Sequence, residues 1–342
     1  MINVGVIGCG QWGPNHIRIF SHLPHSKAVM CADLSEQRLK AVKDTFLNIQ
    51  TTTDYREILR EGRVDAVCIA SPTDTHFSIA QEALRHNKHV LCEKPLALTA
   101  QECEELQSLA VQKQRILMVG HVFLFNPGIL QLKKYMQDGE LGRTYYAYAA
   151  RTNLGPFRYD VNALWDLASH DVSIFNYLFD APPVCVSARG HRCLGTKLED
   201  VAFATLEYPH NIAAHIHVSW LDPRKIRQIT IVGDKKMVMW DDLDDLGPIK
   251  LYDKHVEKTN VYYETYGEFR LLSQEGGITI PKIELREPLK NQGQYFIDCI
   301  EHGVRPELAD AQKGLDVVKT LAAMQRSVEG NGASVPIERP AS

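Results

Sequence analysis

The chain has 342 residues, 44% of them hydrophobic and 23% charged, with a net charge of −4 at neutral pH. That length exceeds the ~100 to 200 residues of a usual domain, so two domains are expected, each with its own core. The charge balance leaves no electrostatic footprint for nucleic acid or an anionic membrane, and the expected partner is a small molecule.

The chain opens on an apolar run over 2–7, followed by Gly8-Cys9-Gly10-Gln11-Trp12-Gly13 and a helix start at Pro14. This is the G-x-G-x-x-G turn of a dinucleotide-binding unit. Gly8 serves the tight turn, Gly10 lets backbone approach a pyrophosphate, and Gly13 allows close helix-to-strand packing, with Gln11 and Trp12 between them beside the cofactor. A phosphate-free structural turn is the alternative, and the context on both sides weighs against it. A second strand-like run over 27–32 ends at Asp33, twenty residues after Gly13. An acid there accepts from ribose hydroxyls and repels a 2′-phosphate, which predicts NAD in preference to NADP.

Ser35 then caps a helix, and another short helix is predicted over 55–60. The nearly all-apolar strand 64–70 runs into Ser71-Pro72-Thr73-Asp74-Thr75-His76 and a helix. Strand 89–92 ends in Glu93-Lys94-Pro95, Thr99 caps a helix reaching 113, and 116–120 is a further strand. Strands alternating with helices predict an α/β Rossmann domain with a doubly wound parallel sheet over 1–120.

From 121 the pattern changes. A helix over 127–136, a strand over 145–151 and a helix over 161–178 precede consecutive alternating strands at 184–193, 201–208, 212–220, 226–232 and 236–240. Strands without crossover helices predict an α+β domain with a large, mostly antiparallel sheet over 121–342, the substrate and oligomerisation domain. The stretch 252–283 predicts only broken strand and loop. Terminal helices over 288–302 and 311–328 are expected to pack back toward the first domain, and Arg339-Pro340-Ala341-Ser342 to form a frayed tail. Eight cysteines without a C-x-x-C pair suit reduced thiols. With no apolar run of ~18 residues and no basic leader, the expected location is cytoplasmic, without a membrane partner.

Two constellations carry chemistry. Lys94 stands at the carboxyl end of a parallel strand, where open α/β sheets bind their ligands, and an ammonium there suits a hydroxyl oxygen gaining negative character. The commoner role of a lysine, a solvated loop charge, is the competing reading. Asp166 and His170 are four residues apart, so on a helix they share a face, and the pair suits a general base that removes a hydroxyl proton. An ordinary surface pair is the alternative. Upstream, Arg151, Asn153, Arg158 and Asn162 lie in a polar, glycine-broken segment able to line a site for a hydroxylated, anionic ligand. His215 and His217 are the nearest approach to a metal pair, but no compact cluster has ligand spacing, so no metal is expected.

With these motifs in order, the sequence resembles the glucose-fructose oxidoreductase, inositol dehydrogenase and rhizopine catabolism family over nearly its full length. The resemblance implies a nicotinamide cofactor on the first domain and a sugar site on the second, with Lys94, Asp166 and His170 as the catalytic groups. It also places Ser71, Pro72, Thr73, His76 and Glu93 along the cofactor. Gly10-Gln11-Trp12-Gly13-Pro14-Asn15, the loop 151–162 and Glu287-Pro288-Leu289-Lys290-Asn291 are similar to the family's nucleotide-sugar 3-dehydrogenases, which implies oxidation at C3 of a substrate such as UDP-N-acetylglucosamine. Arg151, Arg158, Asn153 and Asn162 would then recognise its diphosphate and amide. A downstream aminotransferase and a homodimer or homotetramer are further implications. A dehydrogenase of a free sugar or inositol, and a non-catalytic cofactor sensor, are the alternatives; the presence of both Lys94 and His170 favours an enzyme.

Overall fold

The computed structural model describes residues 1–258, 271–284 and 286–337. It divides into two compact units, neither continuous in sequence. The first holds Met1–Asn126, Tyr159–Val161 and Arg286–Ala322. The second holds Pro127–Arg158 with the described residues of 162–285 and of 323–342.

In the first unit the strands are β1 Ile2–Ile7, β2 Ser26–Ala32, β3 Gln50–Thr52, β4 Ala66–Ile69, β5 His89–Cys92 and β6 Leu117–Val119. Between them run helices α1 Gly13–His22, α2 Glu36–Thr45, α3 Tyr55–Arg60, α4 His76–Arg85 and α5 Ala100–Lys113. All strands are parallel, in the order β3-β2-β1-β4-β5-β6. The apolar runs read from sequence are the buried interior of this sheet: Val4, Val6, Val67, Cys68, Ile69, Val90 and Cys92 have no exposure. A strand covered on both faces needs such a run. Helix starts follow their caps. Ser35 Oγ accepts from the Arg38 amide, and Thr99 and Glu102 form a reciprocal capping box at the start of α5. The strand order reverses direction between β1 and β4, which opens a crevice at the carboxyl ends of the strands.

Helix α8, Pro288–His302, belongs to this unit and packs on α1, where a Cβ on Gly293 would come within 2.8 Å of the Ile19 side chain. Helix α9, Ala311–Glu329, begins in it, preceded by a backbone bond from the Val119 amide to the Ala309 carbonyl.

The second unit is built on a nine-stranded sheet ordered β14-β13-β12-β11-β7-β10-β9-β8-β15. Its members are β7 Thr144–Leu154, β8 Cys185–His191, β9 Val201–Tyr208, β10 Ile212–Ser219, β11 Leu221–Gly233, β12 Met237–Asp241, β13 Ile249–Lys258, β14 Leu271–Thr279 and β15 Val335–Pro336. Strands β7 and β10 pair in parallel and the other described pairs are antiparallel. One face is apolar, with Ala147, Ala149, Ala204, Leu206, Ala214, Ile216, Ile229 and Ile231 buried, and helices α6, Pro127–Gln137, and α7, Ser169–Leu178, belong to the same unit. The other face exposes Tyr146, Tyr148 and Phe203, the outward half of the period-two pattern.

Two expectations need correction. The stretch 252–283, read as broken strand and loop, contains most of β13 and all of β14, an antiparallel pair at the sheet edge. Edge strands bury too little to impose alternation; Val256 and Ile278 are exposed, and two glycines, Gly276 and Gly277, interrupt the pattern. Residues 259–270 of that stretch, and the tail 339–342, lie outside the described residues. The helix expected over 161–178 begins instead with a π-helical turn, Leu164–Ala168, followed by α7. The side chain of Asn162 accepts from the Trp165 amide at 3.0 Å, so that residue serves the helix start from outside it.

Candidate active site

The glycine turn between β1 and α1 has the geometry a dinucleotide needs. Gly8 sits at φ 95°, a conformation L side chains rarely adopt. A Cβ on Gly13 would come within 2.0 Å of the Gly8 carbonyl oxygen, so the helix can approach the strand only through a glycine. Gly10 is different: nothing lies nearer to its would-be Cβ than Arg38 Nη1 at 4.0 Å, and its face is open to a phosphate. Gln11 and Trp12 are exposed beside it.

Asp33 ends β2 with its carboxylate pinned. Oδ2 accepts from the Cys9 amide at 2.7 Å and Oδ1 from the Ser35 amide at 2.8 Å, while Arg38 Nη1 lies 3.5 Å from Oδ2. Asp33 and Arg38 border a cavity of about 280 Å³, walled by Ile7, Pro72 and Ile79 and reaching Thr53 and Tyr55. An acid held on the rim of an apolar slot matches an adenosine with its ribose hydroxyls toward Asp33.

The segment after β4 is locked to the segment after β5. Ser71 Oγ lies 2.7 Å from Thr75 Oγ1, and Thr73 is buried. The buried ring of His76 spans two carbonyl oxygens, Pro95 at 2.8 Å from Nδ1 and Ser71 at 3.0 Å from Nε2. His76, expected against the cofactor, thus braces the two strand ends that form the crevice.

At the end of β5, Glu93 Oε1 meets His16 Nε2 at 2.9 Å and its Oε2 accepts from the Lys94 amide at 3.3 Å. Burial pushes the Glu93 carboxyl up, but the His16 hydrogen bond and the charges of His16 and Lys94 outweigh it and hold the group below its ordinary range. Lys94 itself is 9% exposed. This lysine is therefore no solvated loop charge: it is nearly buried, and its backbone amide is held by the Glu93 carboxylate.

In the second unit the π-helical turn carries Asp166, and His170 follows one turn later in α7; both are half-buried. Such turns are frequent at functional sites. Arg158 Nη1 reaches Asp166 Oδ1 at 3.2 Å, so that carboxylate is shared with a guanidinium as well as standing beside the imidazole's turn. Asn153 is half-buried in β7.

Two residues expected to bind substrate are committed elsewhere. Arg151 makes a buried fork on Asp171, with Nη2 2.8 Å from Oδ1 and Nε 3.0 Å from Oδ2. Asn162 gives its amide hydrogens to Glu199 Oε2 at 2.5 Å and Gln325 Oε1 at 2.9 Å. Each ties elements together. The sequence reading missed Asp171 and Glu199, although Asp171 directly follows His170. Among the described residues no group of three histidine, cysteine or carboxylate side chains could hold a metal ion, and no helix is long and apolar enough to cross a membrane. His217 stacks on Phe203 at 4.4 Å on the exposed face.

A glycine turn, a pinned acid at the end of β2 and a strand order of 3-2-1-4-5-6 define the first unit as a Rossmann dinucleotide-binding domain. Comparison with known proteins agrees. Residues 2–121 match the oxidoreductase family with an NAD-binding Rossmann fold, and residues 129–239 match the GFO/IDH/MocA C-terminal domain. The chain belongs to the GFO/IDH/MocA oxidoreductase family, and its first unit is the family's NAD-binding domain. Among its relatives, inositol 2-dehydrogenase 2 of Saccharopolyspora erythraea is 28% identical over 64% of this chain and 66% of that protein. The UDP-N-acetylglucosamine 3-dehydrogenase of Acidithiobacillus ferrooxidans is 28% identical over 71% of this chain and 75% of its own length. A solved structure of the latter enzyme superposes with a TM-score of 0.80 at 24% identity, covering 96% of this chain and 98% of that one. The chain spans about two thirds of the length of the first curated relatives it matches, 66% for each of two.

Proposed function

We propose that the protein is an NAD-dependent dehydrogenase that oxidises a secondary hydroxyl of a sugar to a ketone. The observation that carries this reading is Lys94, fixed by Glu93 at the carboxyl end of β5 in an NAD-binding sheet. Bound NAD supplies the hydride acceptor. Lys94 would hydrogen-bond the reacting oxygen as it gains negative character, and His170 would take the hydroxyl proton, with Asp166 orienting it. A purely cofactor-sensing protein has no use for such a proton-transfer set.

UDP-N-acetylglucosamine, oxidised at C3, is the first candidate substrate. It is supported by a relative whose similarity extends over 247 residues. Free sugars and inositol are favoured by a specific observation: of the four contacts expected to meet a nucleotide, Arg151, Asn162 and Arg158 are engaged by Asp171, Glu199 and Asp166. The exposed aromatic face of the second sheet would suit a homodimer or homotetramer, and a keto sugar would suit a partner aminotransferase.

The test is absorbance at the reduced-nicotinamide band with NAD and UDP-N-acetylglucosamine, myo-inositol or free aldoses, each with and without an aminotransferase and glutamate to trap the ketone. Reduction by UDP-N-acetylglucosamine in the coupled assay supports the first candidate. Turnover of inositol or an aldose alone moves the substrate to that class, and no reduction with any of them overturns the dehydrogenase reading.

A further inference from the structure

A cavity of about 260 Å³ opens at the amino end of the edge strand β6, on the side of the sheet away from the cofactor crevice. It lies between the end of α5, the start of β6 and the segment joining α8 to α9, all of them in the first unit. Neither the NAD site nor the proposed chemistry uses it. Ala110, Ile116 and Pro306, all buried, give it an apolar lining, and Arg115 and Arg305 bring two guanidinium charges to the same cavity.

Both arginines are uncommitted. Among the described residues neither forms an ion pair, and the Nε of the half-buried Arg115 has no hydrogen-bond partner. His89 Nε2 lies 3.5 Å from Arg115 Nη1, but no hydrogen bond joins them. His89 Nδ1 accepts from the Ile116 amide at 3.0 Å, which uses its lone pair, so the neutral ring carries its proton on Nε2 and faces a guanidinium that can only donate. Burial, with the Arg115 charge, pushes this imidazole down to about 4 against a smaller opposing effect of Asp65, which keeps the ring neutral near pH 7. Asp310 is the one carboxylate among the lining residues, and its Oδ1 accepts from the Lys313 amide at 2.9 Å, capping α9. A cation just past a helix end ordinarily serves the helix dipole. Here both ends are already closed by left-handed residues, Gln114 after α5 and Gly303 after α8, whose amides return to the Val111 and Ile300 carbonyls.

We propose that this cavity is a second ligand site, which takes a small phosphate monoester: Arg115 and Arg305 hold the phosphate, and Ala110, Ile116 and Pro306 receive its organic part. Two guanidinium groups without a countercharge call for a dianion. A phosphate monoester carries a charge of about −1.5 to −2 near pH 7 and three strong acceptor oxygens, enough to serve both forks at once. A carboxylate, with a single charge, leaves one arginine unpaired. The volume admits a phosphate with a compact ring or a short chain beside it, and the buried apolar lining favours such a body over free phosphate. The site is independent of which sugar is oxidised, and of whether one is.

The experiment is calorimetric titration of the full chain with phenyl phosphate, with NAD at saturation so that the glycine turn is already filled. Saturable binding in the millimolar range or tighter is expected, with inorganic phosphate about fivefold weaker because it has no apolar part to bury. Arg115→Gln and Arg305→Gln should each weaken phenyl phosphate about tenfold or more, the scale of a hydrogen bond to a charged group. Lys113→Gln, which removes the same charge from the end of α5 outside the lining, should change the affinity less than about twofold, as a screened surface charge does. In the wild type, the ¹⁵Nε resonance of Arg115 should move with phenyl phosphate and stay in place with phenol, a readout that stands even where a variant fails to fold. Absence of saturable binding, equal affinities for phenyl phosphate and inorganic phosphate, an equal loss in Lys113→Gln, or an unmoved Arg115 resonance would each overturn the assignment.

Discussion

Replacing Arg151 by methionine keeps most of the aliphatic stem and removes the guanidinium that faces Asp171. The two side chains are 4% and 1% exposed and joined by a bidentate contact, so the variant leaves a carboxylate buried without its countercharge. Breaking one partner of a buried pair costs about 3 to 5 kcal/mol. For a folding unit of this size each kcal/mol lowers the melting temperature by ~2 to 4 °C, so Arg151→Met should melt roughly 6 to 20 °C below the wild type. Replacing both residues by apolar ones should recover much of the loss, because no unpaired charge is then left inside. Calorimetric melting with steady-state kinetics on the same samples gives the answer. A melting temperature within a degree or two of the wild type, beside a tenfold rise in KM for the sugar, would refute the reasoning and return Arg151 to the substrate.

Further expectations concern the cofactor and the chemistry. Asp33 should make NAD bind more tightly than NADP, and Asp33→Ser should narrow the gap; equal wild-type dissociation constants would contradict this. Lys94→Ala and His170→Ala should each lower turnover about a hundredfold or more with NAD affinity and melting near wild type, and an active double variant would show that both are structural. Gly13→Ala should destabilise the first unit, because its Cβ meets the Gly8 carbonyl at 2.0 Å, whereas Gly10→Ala should fold normally and lose NAD affinity; melting and calorimetry separate the two, and identical behaviour would sink the distinction. Glu93 titrates below its ordinary value, so its contribution to stability is present above the unfolded carboxylate pKa of about 4.3 and fades as pH falls through the folded one. The stability gap between wild type and Glu93→Gln should therefore hold steady from neutrality to about pH 5 and close only as pH falls through the lowered folded value; a gap that has already closed above about pH 5 argues against a lowered Glu93 carboxyl.

Much of the fold was legible because local rules and long-range packing agree. The apolar runs are the buried parallel strands, Ser35 and Thr99 cap the helices they precede, and a glycine turn at the end of β1 has few other uses. Sequence also located Lys94 at a strand end, since the carboxyl edge of a parallel sheet follows from strand direction alone. Tertiary structure decided which polar residues are available to a ligand. Arg151 and Asn162 are the residue types a sugar nucleotide would call for, yet Asp171, Glu199 and Gln325 take them, from partners 20, 37 and 163 residues away in the chain. Arg115 went unread because nothing local to Gln114-Arg115-Ile116 reveals that Arg305 stands on the same cavity. A side chain's hydrophobicity acts on its own neighbourhood and leaves a periodic trace. A hydrogen bond is satisfied by whichever group the fold delivers, and that is set only when distant segments meet.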